Sequence, residues 1–98
     1  MSPIIPIHQE RILRTEEARI LTVARQPSFK AQPGIAANLT AYTYAEDLFD
    51  IHDTTAGKYA EHPTQAHRAD LHRTYAAQAH QLKLLALHNL HQLTTPLA

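Results

Sequence analysis

The apolar pattern of this chain is densest near its C-terminal end. Six leucines, Leu82, Leu84, Leu85, Leu87, Leu90 and Leu93, fall within twelve residues with Lys83 as the only formal charge and no Gly or Pro among them. At 3.6 residues per turn these side chains reach nearly every side of a helix rather than forming one stripe. The periodic pattern extends back to about Thr64. Leu71, Tyr75, Gln78, Leu82, Leu85, Asn89 and Leu93 give a heptad-like seam, with a second line at His80, Leu84, Leu87 and His91. Thr94-Thr95-Pro96 stops the element. At 1.5 Å per residue the predicted helix is roughly 45 Å long.

Two earlier helices are predicted. Residues 1–8 read as an extended lead-in, because Pro3 and Pro6 fix φ and remove donors. From about Gln9 to Gln26, Ile12, Leu13, Ile20, Leu21, Val23 and Ala24 group on one broad side, and Glu10 can pair with Arg14. Ile20–Val23 also fits a strand. Pro27 ends this element, and Pro27–Gly34 reads as a loop with Pro33-Gly34 as its turn. Ile35, Leu39, Tyr42, Ala45, Phe49, His52, Ala56 and Tyr59 then recur at spacings of three and four, predicting a helix from Ile35 to about Glu61. Asp53, Thr54-Thr55 and Gly57 weaken it, and Thr43 with Glu46 fits a capping box at which it would restart or kink. His62-Pro63-Thr64 is a joint, with Pro63 placed to open the last helix.

The architecture expected from this order is all-α: a single helical domain over residues 9–95, built as a long antiparallel hairpin with the N-terminal helix packed on it, a three-helix bundle. Three helices cover both lines of the last helix poorly. Burying Leu84 and Leu87 against another surface would gain roughly 1.5–3 kcal/mol each. The expectation is therefore an oligomer or a partner-bound protein.

Composition agrees with helix. The hydrophobic fraction is 44%, and two glycines with six prolines are few turn residues for a β-sandwich of 98 residues. Nine basic and nine acidic residues cancel, which argues against a strong nucleic-acid footprint. The acids concentrate in Glu46–Glu61, where five of them face only Lys58. There is no cysteine, so disulfides and thiolate chemistry are excluded. The segment Met1–His8 lacks a basic region and is broken by prolines, unlike a signal peptide, and no run approaches the roughly 20 apolar residues of a membrane span. A cytoplasmic protein that does not engage membranes is the default expectation.

Candidate chemistry is sparse. Six of the eight histidines lie between His62 and His91, yet only His88 and His91 have the spacing of paired ligands on one helix face. Folding about Pro63 would bring His52 level with His72, flanked by Asp50 and Asp53, as a metal site or a hydrogen-bonded polar layer. Neither set reaches a complete ligand shell, so no metal, cofactor or catalytic residue is assigned. No phosphate loop, nucleophile elbow or convergent carboxylate pair is present. The expected function is non-enzymatic binding of another protein or of a second copy, as adaptor, inhibitor or assembly subunit, through Leu84, Leu87, His88 and His91. The alternative is nucleic-acid binding through Arg11, Arg14 and Arg25, and the second alternative is histidine-dependent metal binding. Histidines bordering an interface would make association acid-sensitive, since imidazole titrates ordinarily near pH 6.5.

Overall fold

A computed structural model of the chain describes residues 4–95. Met1–Pro3 of the expected lead-in and the Pro96 stop lie outside the described residues. Among the described residues four α-helices follow one another: α1 (Ile7–Ala24), α2 (Pro27–Lys30), α3 (Pro33–Ala60) and α4 (Ala66–Thr94), with a 3-10 turn over Pro63–Gln65 before α4. Among the described residues there is no strand, so Ile20–Val23 is helical.

Prolines set the starts. Pro27, Pro33 and Pro63 each occupy the first turn of an element, where the missing N–H would have no partner in any case. This corrects two expectations. Pro33-Gly34 opens α3 instead of making a turn, and the expected loop contains the helical turn α2. Pro6 caps α1, its carbonyl accepting the Glu10 N–H at 2.9 Å, so helix begins at Ile7 and not beyond His8. α3 runs unbroken through Thr43. The Thr43 hydroxyl donates back to the Leu39 carbonyl at 3.1 Å, and Thr55 does the same to Ile51 at 2.7 Å. A threonine whose hydroxyl is satisfied within the helix neither caps nor breaks it.

α3 and α4 pack antiparallel along their lengths. Asn38 meets Asn89, Phe49 meets His80, and His52 and Tyr59 both meet His72. The buried seam of α4 is Ala69, Ala76, Ala79, Ala86 and Leu90. It is not the expected line, of which Leu71, Tyr75 and Leu93 are 48%, 40% and 45% exposed. The reason is volume. α3 presents large side chains at heptad spacing, Ile35, Tyr42, Phe49, His52 and Tyr59, and these need small residues opposite to reach native density. Leucines on both sides would overfill the seam.

α1 lies across the C-terminal half of α4 and covers the second line. The main apolar cluster sits there, combining Leu13, Ile20, Leu21 and Ala24 of α1 with Ile35 and Tyr42 of α3 and Leu84, Leu87 and Leu90 of α4. Ile5 joins it, its N–H donating to Gln81 Oε1 at 3.2 Å. Toward Pro63 that cluster ends, and Ala56, Ala69 and Ala76 are the buried apolar residues of the hairpin.

Replacing Leu87, 1% exposed, by alanine should therefore cost about 2–5 kcal/mol in urea unfolding. Gly57 lies inside α3 with nothing within 4 Å of where a Cβ would sit. Gly57→Ala should raise stability by about 0.5–1 kcal/mol in the same experiment.

Candidate functional site

Three groupings of side chains stand out, and each is built by the packing of α4.

The first is the polar border under α1. Leu84 and Leu87 are 3% and 1% exposed beneath α1, which corrects their assignment as an outward surface. Of the two flanks of α4 that α3 leaves open, the one carrying Leu84 and Leu87 is the flank onto which α1 folds. His88 and His91 are half-buried at its edge, and His88 Nδ1 lies 2.7 Å from Gln9 Nε2. His80 Nε2 lies 3.2 Å from Glu10 Oε1, and Arg14 Nη2 lies 2.9 Å from the same oxygen. The His80 hydrogen bond, ahead of the Arg14 charge, holds the Glu10 carboxyl below the usual glutamate range. Deeper in, the Tyr42 hydroxyl donates to Glu17 and, at 3.3 Å, to Glu46. Lys83 Nζ is 3.2 Å from Glu17 and 3.8 Å from Glu46, and 5.5 Å from the Tyr42 ring centroid. Burial, then the two carboxylates, pushes the Tyr42 phenol strongly upward, so it remains a donor. The lone lysine of the leucine run thus ties α1, α3 and α4 together.

The second grouping is a ring stack between α3 and α4. His52 and His72 come together as the hairpin register predicted, their Nδ1 atoms 2.9 Å apart. The rings are 5.1 Å apart at 28°. Tyr59 stacks on His72 at 5.6 Å, and Tyr75 lies against His52 at 5.1 Å. Asp50 and Asp53 do not join them. Among the described residues no three histidines or carboxylates converge as a metal-ligand set. One proton serves this contact, donated by one ring and accepted by the other.

The third is the flank of the hairpin away from α1. Leu48, His52, Tyr75, Gln78, Ala79 and Leu82 line a groove of about 190 Å³. Tyr44 and Ile51, one turn either side of Leu48, are 59% and 58% exposed. Leu71, one turn from Tyr75, is 48% exposed, and Leu85 is half-buried one turn beyond Leu82. These positions carry no formal charge themselves, and charges meet the strip at its Tyr44 end, where Arg25, Lys30 and Asp47 line a neighbouring depression. The α4 half of this flank is the line expected to be the buried seam. The α3 half was missed, although Tyr44, Leu48 and Ile51 carry their own signal as a second apolar stripe at spacings of four and three.

The remaining candidates are scattered. Arg14 pairs with Glu10 and Arg19 with Glu16 along α1, so these cations are locally balanced. Arg25 lies apart with Lys30, Thr43 and Asp47 around a shallow depression of about 580 Å³. Arg11 sits with Ile12, Thr15 and Glu16 at a separate surface. The geometry does not bring Arg11, Arg14 and Arg25 into one patch. Among the described residues no helix is long and apolar enough to cross a membrane. No family model, no curated protein and no solved structure matches the chain.

The lowered Glu10 has a pH consequence. A carboxyl depressed in the folded state stabilises it above the ordinary glutamate pKa, and loses that effect as pH falls through the folded value. Glu10→Gln should therefore unfold earlier than the parent at about pH 6, with the difference shrinking toward about pH 3. Thermal melts followed by circular dichroism at the two pH values measure it.

Proposed function

We propose that this chain is a non-enzymatic, self-associating helical protein, an assembly subunit whose interface is the hairpin flank away from α1. The observation that carries this reading is the uncharged apolar strip formed by Tyr44, Leu48 and Ile51 on α3 with Leu71, Tyr75 and Leu82 on α4. Loss of charge together with tyrosine enrichment marks the centre of interfaces more reliably than hydrophobicity alone.

A second copy of the chain is the occupant favoured. An isologous contact pairs one surface with itself about a two-fold axis, so a charge near that axis faces its own copy. A strip whose own positions carry no formal charge avoids that repulsion. From Leu71 to Leu85 the strip runs about 21 Å and is some 15–20 Å wide. That is about 300–400 Å², so the residues bordering it on both helices contribute the rest of the roughly 800 Å² per partner of a standard stable interface. Two hairpins set face to face make a four-helix core with α1 on each outer side, the common solution for amphipathic helices. This reading keeps the expectation of association and moves its residues from the Leu84 line to the opposite flank of α4.

Sedimentation equilibrium of the full chain should give twice the chain mass at micromolar concentration. Ile51→Glu and Leu71→Glu should each raise the dimer Kd by about 100-fold or more, since burying an unpaired carboxylate costs several kcal/mol. Far-ultraviolet circular dichroism should be unchanged, because both positions are exposed in the single chain. A monomer at all concentrations would overturn the reading. So would a dimer that both substitutions leave intact.

A further inference from the structure

The paired rings between α3 and α4 have a capacity that hydrogen bonding alone does not use. We propose that His52 and His72 form a two-imidazole chelating site for a divalent transition metal of tetragonal preference, copper(II) foremost. The site lies within one chain and does not rest on self-association.

The argument is geometric. The two Nδ1 atoms are already 2.9 Å apart, on different helices. At metal–nitrogen bonds of about 2.05 Å, donors 2.9 Å apart subtend about 90° at the metal. That is the cis angle of square-planar and octahedral ions, the geometry of copper(II) and nickel(II) with nitrogen and oxygen ligands. A tetrahedral zinc ion would need the same atoms about 3.3 Å apart, so the seam would have to open by a few tenths of an ångström.

The rings are held close together, and a modest turn of each aims both nitrogens at a shared metal. Tyr59 lies against one outer face at 5.6 Å with a 20° interplanar angle, and Tyr75 packs against both imidazoles at 5.1 and 6.0 Å. This restricts the side-chain freedom that a chelate would otherwise lose on binding. At those bond lengths the metal sits about 1.45 Å to one side of the line joining the two nitrogens, and the proton that lay on that line is displaced. Both imidazoles then adopt the form protonated at Nε2, so the proton on one Nδ1 moves to the other nitrogen of the same ring and none is left between the donors. The protein supplies two neutral donors and no carboxylate, since no third ligand converges among the described residues. Water completes the shell from the groove that His52 lines.

The test is titration of the full chain with copper(II), nickel(II) and zinc(II) as simple salts, read by calorimetry and by histidine ring proton resonances. The expected result is one copper(II) per chain, bound more tightly than nickel(II) or zinc(II). His52→Gln and His72→Gln should each lower copper(II) affinity by about 100-fold, at or beyond the upper end of what loss of an outer-shell partner costs. His88→Gln, on the α1 side of α4, should change it by less than about threefold. Selective broadening of the His52 and His72 ring signals by substoichiometric copper(II) supports the site in the unaltered chain, independently of how the variants fold. Equal binding by the His52→Gln/His72→Gln double variant overturns it, as does broadening confined to other histidines.

Discussion

The close approach of α3 and α4, with alanines of both helices set among the larger Ile35, Tyr42, Phe49, His52 and Tyr59 of α3, is the constraint from which the rest of the molecule follows. Six alanines of the two long helices, Ala45, Ala56, Ala69, Ala76, Ala79 and Ala86, are no more than 5% exposed. A seam packed this closely on alanine leaves little room for leucine along most of its length. Leu90 alone of the α4 leucines lies in the seam, near its end, and the others are turned to its two flanks. One flank is covered by α1 and becomes the core. The other has no cover among the described residues and becomes the apolar strip. The surface most suited to association is thus a direct product of how the hairpin packs.

The same arrangement explains the one charged residue in the leucine run. Lys83 stands between α3 and α1, where its stem can lie on apolar surface and its ammonium can reach Glu17 and Glu46. An apolar residue at that position would leave both carboxylates beside a buried phenol without a cation. A half-buried polar node of this kind gives α1 a defined position on the hairpin, since it is satisfied in one docking arrangement and incomplete in others.

Much of this was legible in the chain. The helical class, the end of α1 before Pro27, the joint at Pro63, the α3 face from Ile35 to Tyr59 and the level at which His52 meets His72 all follow from spacing. The phase of α4 did not. Leucine outweighs alanine on any hydrophobicity count, so the line Leu71–Leu93 reads as a seam, and only the bulk of Tyr42, Phe49 and Tyr59 across the interface shows why alanines win. The Leu84 and Leu87 line was read as surface for a related reason. Whether an eighteen-residue helix folds over one flank or the other is decided by long-range pairs such as Gln9 with His88 and Tyr42 with Glu17, which no local period encodes.

The thinning of the core toward Pro63 sets two tendencies against each other. Contacts there join residues close in sequence, 20 apart for His52 and His72, against 51 for Asn38 and Asn89 and 79 for Gln9 and His88. Loop-closure entropy thus favours the hairpin end as the place where α3 and α4 first meet. Buried apolar side chains, however, accumulate at the opposite end, and local opening free energy follows burial. The end of the molecule with the shortest loops to close is consequently the end whose amide hydrogens are least protected from exchange, and a metal held across His52 and His72 would act as a clip on that weaker end.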